Sequence, residues 1–268
     1  MTESRPTESQ PTESHAGLFT GVGVALLTLL TGDGDVDTRA TGDLAAELVS
    51  RGMRGVLACG TTGEPATLTD AERRSVISAV RAAVPPQIPV LAGTGAASAE
   101  RAARLTAEAV EAGAEAILAW PPPGSEDLAG YFAAVSAAAQ GRPVLAYHIP
   151  WISAPGVPVK ALDGLPVAGI KDSSGDPDRL IEEIAYYRGA TYTGSSALLA
   201  LAGPTGGTGA ILAAANVEPE LCCAAFAGDG TAQRELAQVH LAGRAGGPPA
   251  LKGILAERHG VSALSRAS

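Results

Sequence analysis

The stretch Val167–Asp176, V-A-G-I-K-D-S-S-G-D, decides how the rest of the chain is read. Val167, Ala168 and Ile170 suit a strand buried on both faces, as strands of parallel sheets are, while Asp172, Ser173, Ser174 and Gly175 are turn and helix N-cap residues. Lys171 therefore stands at the carboxyl end of a strand. An amine with apolar strand behind it is poorly hydrated, which disfavours the ammonium form and is expected to lower its pKa from the reference of about 10.4. A neutral lysine is a nucleophile towards ketones. A plain surface lysine also fits a strand end, so its chemistry has to be read from the residues that accompany it.

Working outward, short apolar runs alternate with amphipathic ones. The expected strands are Val22–Leu29, Gly55–Ala58, Pro89–Ala92, Ala116–Ala119, Val144–Tyr147, Ala168–Ile170, Ala190–Thr193 and Thr208–Leu212. Helical patterns fall at Thr38–Arg51, Thr69–Ala83, Ser98–Ala112, Glu126–Ala139, Pro177–Arg188 and Ser195–Ala202. Thr69-x-x-Glu72 is a capping-box pattern, Ser98 is a capping serine, and Gly52 and Gly113 sit where helices should stop. A doubly wound sheet would want a Gly-rich first turn, and none follows the first strand. The expectation is an α/β fold, a (β/α)8 TIM barrel over residues 17–215, followed by an abbreviated C-terminal helical segment over 216–268 packed on it.

At 268 residues one barrel accounts for the chain, since such barrels commonly run to about 250 residues. Residues 1–16 repeat T-E-S at Thr2, Thr7 and Thr12 and can bury nothing, so they read as a disordered tail with no signal-peptide core. A net charge of −9, no basic stretch and 4% aromatic residues argue against nucleic acid and anionic membranes as partners. No run is long enough to span a bilayer. Cys59, Cys222 and Cys223 offer no CxxC spacing, which points to a reduced, cytoplasmic setting. The four histidines lack HExxH spacing. Gly32–Asp37 only begins like a calcium loop: counted from Asp33, the sixth and twelfth places are Thr38 and Leu44, where Gly and Glu are needed. No metal is expected.

Barrel chemistry sits at the carboxyl ends of the strands, which selects among the motifs. After the second strand, Cys59–Thr69 reads C-G-T-T-G-E-P-A-T-L-T, where the Thr61 and Thr62 hydroxyls and neighbouring N–H groups can converge on a carboxylate. The fifth strand ends V-L-A-Y-H-I-P, placing Tyr147 as a proton carrier that Thr62 or Lys171 could adjust. His148, on the alternate face, reads as a structural hydrogen-bonding residue.

Together G-T-T-G-E, Tyr147-His148-Ile149-Pro150 and G-I-K-D-S-S-G-D, with A-G-T-G-A at Ala92–Ala96 and A-A-A-N-V at Ala213–Val217, resemble the dihydrodipicolinate synthase and N-acetylneuraminate lyase family from about Leu18 to Leu251-Lys252. The resemblance implies a class I mechanism on pyruvate or a 2-oxo acid, with the imine on Lys171 and no separate cofactor. It makes Tyr147 the proton shuttle, with Thr62 in its hydroxyl relay, and Thr61 and Thr62 the carboxylate holders. Gly194 and Ile211 match positions lining the pocket.

Two departures shape the functional expectation. In the synthases an arginine two residues after the fifth-strand proline holds the aldehyde's carboxylate, and here that place is Ile152; the fourth-strand loop Trp120–Gly124 lacks the family's tyrosines. A distal pocket of Trp151, Ile152, Ser153, Ser195 and Ser196 would be weakly charged. The first expectation is therefore a lyase releasing pyruvate from a 2-oxo-3-deoxy sugar acid or a similar 2-oxo acid. The alternatives are a dihydrodipicolinate synthase, condensing pyruvate with aspartate semialdehyde, and a non-catalytic 2-oxo acid binding protein. The closing helices, which in relatives often contribute to subunit contacts, are abbreviated here, so a homo-oligomer, dimer or tetramer, is an expectation left open.

Overall fold

The computed structural model describes residues 17–266, so the expected tail over 1–16 lies outside the described residues. Strands β1 (Gly21–Ala25), β2 (Val56–Ala58), β3 (Val90–Gly93), β4 (Ala116–Ala119), β5 (Val144–His148), β6 (Gly169–Asp172), β7 (Ala190–Thr193) and β8 (Gly209–Leu212) close into one barrel in chain order, every neighbour parallel. Between them run α1 (Thr38–Ser50), α2 (Asp70–Ala83), α3 (Ala99–Glu111), α4 (Leu128–Ala138), α5 (Pro177–Tyr186) and the one-turn α6 (Leu199–Ala202). The TIM barrel expected from the alternation is the fold.

Parallel strands between two apolar layers explain why the runs read as continuous rather than alternating. Leu57, Leu91, Leu118, Leu145, Tyr192 and Ile211 belong to the barrel's interior cluster, and Val56, Val90, Ile117, Val144, Ile170 and Leu212 pack outward under the helices. The helix signals act as anticipated. The Thr69 N–H donates to Glu72 Oε2 at 2.7 Å while Thr69 Oγ1 accepts from Glu72 N, and Ser98 Oγ accepts from Arg101 N.

Several boundaries shift by a residue or two, and the departures that bear on the site fall at β1, at β6 and after β7; at the first two the deciding hydrogen-bond partners lie elsewhere in the sequence. β1 ends at Ala25 instead of Leu29, because the Leu27 N–H donates to Asn216 Oδ1 and the Leu29 N–H to Thr41 Oγ1. β6 runs two residues further than expected, since Lys171 and Asp172 pair in register with Tyr147 and His148 on one side and Tyr192 and Thr193 on the other. The helix expected from Ser195 splits into a 3-10 turn at Ser196–Leu198 and α6.

After β8 the chain forms α7 (Pro219–Phe226), α8 (Gly230–Glu235) and α9 (Ala237–His259). α9 is broken at Gly247, whose φ of 56° and ψ of −147° are outside the helical range, and Pro248 and Pro249 start the second half. Each half is tied to a different part of the barrel mouth. His240 Nδ1 lies 3.0 Å from Ser196 Oγ after β7, and Lys252 Nζ pairs with Glu64 Oε1 at 2.5 Å after β2, both of the latter side chains being buried. The C-terminal segment is thus a strap across the carboxyl ends of the strands.

Candidate active site

The β5–β6–β7 register sets Tyr147, Lys171 and Tyr192 side by side, two of them below the strap. Lys171 is 4% exposed, and its Nζ lies 4.6 Å from the centre of the Tyr147 ring. The amine thus lies against the π face of the phenol. Gly194, at the end of β7, leaves room for this pair: a Cβ there would stand 2.0 Å from Ser173 Oγ and 3.0 Å from Lys171 Cε. Any side chain would displace the lysine or the serine.

Ser173 Oγ donates to the Tyr147 hydroxyl at 3.3 Å. The hydroxyl beside the tyrosine is thus Ser173 rather than Thr62, which the motif reading had favoured, because Ser173 shares the β5–β6 side of the barrel with Tyr147. Thr61 and Thr62 lie in a 3-10 turn, Thr61–Gly63, and both line the cavity; neither hydroxyl has a hydrogen-bond partner among the described residues. The turn is clamped from below by the Thr28 hydroxyl, which donates to Gly63 O at 2.9 Å. It is also entered and left through positive φ, 52° at Cys59 and 55° at Glu64, a strained path for residues with a Cβ that surrounding contacts must hold in place. Arg73 supplies part of that hold, donating to the carbonyls of Pro65 and Gly93. Burial pushes the Cys59 thiol up to about 11, so it is a packing group rather than a nucleophile.

The cavity above these residues measures about 510 Å³ and is open to solvent. Thr61, Thr62, Tyr147, Lys171, Gly194, Ser195 and Ile211 all line it, as do Trp151, Ser173 and Ser196. Ile152 and Ser153 do not. The backbone N–H groups of both donate to Ile149 O, forming a tight turn that packs Ile152 against the barrel's interior cluster and sends the Ser153 hydroxyl to Pro121 O, leaving Trp151 as the residue that faces the cavity. The remaining wall was invisible to motif reading: Val239, His240, Gly243, Arg244 and Leu251 come from α9. The expectation of a weakly charged distal pocket is corrected by Arg244. Its only signal in sequence was a lone cation in the small-residue run A-G-R-A-G-G, with nothing to tie it to β6.

Behind β6, on the face away from the cavity, lies a buried ionic cluster. Asp172 Oδ1 accepts from Ser174 N and its other oxygen from the Ser174 hydroxyl, which fixes the turn after the lysine. Arg179 reaches Glu183 at 2.9 Å and Asp172 at 3.6 Å. Burial, followed by the nearby Asp172 charge, raises Glu183 to about 8 despite the arginine. Burial and then Arg179 lower His148 to about 4, so it is neutral near pH 7, where its Nδ1 accepts from Val157 N at 3.1 Å. Among the described residues no three His, Cys, Asp or Glu side chains converge as a metal site, and no helix is long and apolar enough to cross a membrane.

Comparison with known proteins gives one answer. The model of the dihydrodipicolinate synthetase family matches residues 18–241. The 4-hydroxy-tetrahydrodipicolinate synthase of Marinobacter nauticus is 36% identical over 233 residues, 82% of this chain and 80% of that protein. The protein of the same name from Salinibacter ruber is 31% identical over 221 residues, 78% and 73% of the two chains. Among solved structures, dihydrodipicolinate synthase from Acinetobacter baumannii, complexed with pyruvate, superposes with a TM-score of 0.84 at 26% identity, covering 94% of this chain and 92% of that one. YagE, an E. coli prophage protein of the same family also complexed with pyruvate, gives 0.84 at 25% identity, covering 94% and 93%.

Proposed function

Because the chain belongs to the dihydrodipicolinate synthetase family, we propose that it joins pyruvate, held as an imine on Lys171, to an aldehyde, with aspartate semialdehyde the first candidate. It is an enzyme, a lyase of the class I aldolase type. The observation that carries the reading is Lys171 itself: a buried amine lining an open cavity, set against the Tyr147 ring and sharing that cavity with two threonine hydroxyls that have no hydrogen-bond partner among the described residues.

The chemistry follows from that placement. The carboxylate of pyruvate docks on Thr61 and Thr62, which presents the ketone carbon to the Lys171 amine. Addition and loss of water give a protonated imine, an electron sink. The methyl C–H proton then leaves, with Tyr147 as carrier and Ser173 as the next hydroxyl, to give an enamine. Its nucleophilic carbon attacks the aldehyde, whose oxygen takes up a proton, and hydrolysis restores the amine. No metal is called upon at any step.

Retro-aldol cleavage of a 2-oxo-3-deoxy sugar acid, the first expectation from sequence, runs the same steps backwards. The synthase names of the relatives above favour the condensation, so the order of the two readings is reversed. Cleavage stays as the second reading because Ile152 stands where the synthases carry their arginine. We place the enzyme in the cytoplasm, on the strength of three free cysteines, and expect a homo-oligomer from its relatives.

Reduction with borohydride in the presence of pyruvate tests the imine. Mass spectrometry should find a 1-carboxyethyl group on the Lys171 amine and none in Lys171→Ala. Coupled turnover with aspartate semialdehyde, set beside pyruvate release from 2-oxo-3-deoxy sugar acids, separates the two reactions. A wild-type protein left unlabelled would end both readings.

A further inference from the structure

The cation missing from the β5 loop has a counterpart on another element. Arg244 projects from the first half of α9 into the same cavity as Lys171, and among the described residues it has neither an ion-pair nor a hydrogen-bond partner. Its guanidinium hangs over the loops that follow β6 and β7. A Cβ added to Gly175 would lie 3.6 Å from Ser195 Oγ and 3.9 Å from Arg244 Nη1, ordinary contact distances that place the glycine, the hydroxyl and the cation around one gap. Of the carboxylates nearest in sequence to that gap, Asp172 is engaged with Ser174 and Arg179 and Asp176 caps α5, while Asp178 is exposed in the first turn of α5.

The helix carrying Arg244 is held in place. His240, one turn earlier, meets Ser196 Oγ at 3.0 Å, and in the preceding α8 Gln233 accepts from Ala200 N while donating to Ser196 O. Burial, and then the neighbouring Arg244, lower the pKa of His240, and Arg244 is the arginine of this wall. A protein of net charge −9 repels anions in general, so an exposed arginine without an ion-pair partner among the described residues, on the wall of a substrate-sized cavity, is a local exception.

We propose that Arg244, together with the Ser195 hydroxyl, forms a distal anion subsite that binds a second carboxylate or a phosphate on the substrate, the end remote from the imine. The active site is thereby completed by the C-terminal strap, and the preferred substrates carry negative charge at both ends. The inference rests on the Lys171 reading, and its test keeps the two apart.

The test measures borohydride inactivation against concentration for pyruvate, for 2-oxoadipate, for 2-oxohexanoate (the same chain ending in methyl) and for the phosphonate-terminated analogue. Wild type should saturate at about 10- to 100-fold lower 2-oxoadipate than 2-oxohexanoate, the range expected of a charge-assisted hydrogen bond. Arg244→Gln should abolish that preference, each oxo acid being referred to pyruvate on the same variant, and Arg244→Lys should restore much of it. A stronger preference for the phosphonate supports the subsite and assigns it to phosphorylated substrates. Pyruvate labelling with no preference between the two oxo acids, or a preference that survives in Arg244→Gln, overturns the subsite alone. Loss of pyruvate labelling in wild type overturns the Lys171 reading and the subsite with it.

Discussion

Replacing Lys252 with methionine should damage both stability and substrate binding, although the residue lies 81 positions beyond Lys171 in a helix outside the barrel. Its ammonium pairs with Glu64, and the two side chains are 1% and 3% exposed. Removing one partner of a buried pair strands the other charge and costs about 3–5 kcal/mol. Glu64 would keep the Ser265 hydroxyl at 2.7 Å and the Arg266 N–H at 2.9 Å, which places the loss near the lower end, about 3 kcal/mol. For a chain of this size that corresponds to a fall in Tm of roughly 6–12 °C. The functional consequence follows from position: Glu64 ends the Thr61–Gly63 turn in the left-handed region, so loosening it should let the two threonines drift and raise the pyruvate concentration needed for half-maximal borohydride labelling. Pairing Lys252→Met with Glu64→Gln removes the stranded charge and should recover part of the stability. Thermal unfolding and concentration-dependent labelling read the two effects. A Tm drop under about 3 °C with unchanged half-saturation would show that the strap does not support the threonine turn, and the argument would fail.

Other expectations can be checked in parallel. Gly194→Ala should lower pyruvate labelling at least about a hundredfold while circular dichroism stays native, because the added methyl falls 2.0 Å from Ser173 Oγ beside Lys171; near-normal labelling would mean the pair can move aside. Tyr147→Phe should reduce turnover by about 10²- to 10⁴-fold, the usual worth of a positioned proton carrier, and unchanged turnover would remove Tyr147 from that role. Glu183, raised to about 8 by burial, binds a proton in the folded state that it releases when unfolded between about pH 4.5 and 8, so it should make stability decline as pH rises through that window. Glu183→Gln should flatten this decline in pH-dependent urea unfolding, and an identical slope would refute the assignment. His148, lowered to about 4, has the opposite sign: the unfolded chain takes up a proton between about pH 6.5 and 4 that the folded one refuses. Its contribution is complete above about pH 6.5 and lost as pH falls, and His148→Gln should remove that acid-side loss.

What could be read along the chain, and what could not, divides by where the deciding partner sits. β4 and β7 fall on the residues expected, because a buried parallel strand declares itself by its own apolar run and the turns flanking it. β1 could not be delimited that way. Leu26, Leu27, Leu29 and Leu30 are as buried and as apolar as the strand before them, and what takes them out of the sheet includes the side chain of Asn216, 189 residues on from Leu27. The same rule governs the site. Lys171, Tyr147, Thr61, Thr62, Gly194, Ser195 and Ile211 each lie in the last two residues of a strand or in the loop just after one, so the barrel's geometry alone brings them to one mouth. Ile152 was misjudged because a turn of five residues can present any one of its side chains, and here the Ile149 carbonyl, accepting from both Ile152 and Ser153, selects Trp151. Arg244 was beyond reach for a stronger reason. The barrel does not dictate where a C-terminal helix lies; the contacts of Ser196 with His240, of Gln233 with Ala200 and Ser196, and of Glu64 with Lys252 do. A barrel of this kind can therefore keep its imine chemistry on the strands while the charge at the far end of its pocket is set by a strap whose sequence is read only through such contacts. Substrate range in relatives with a differently anchored last helix should then diverge even where the strand-end motifs are identical.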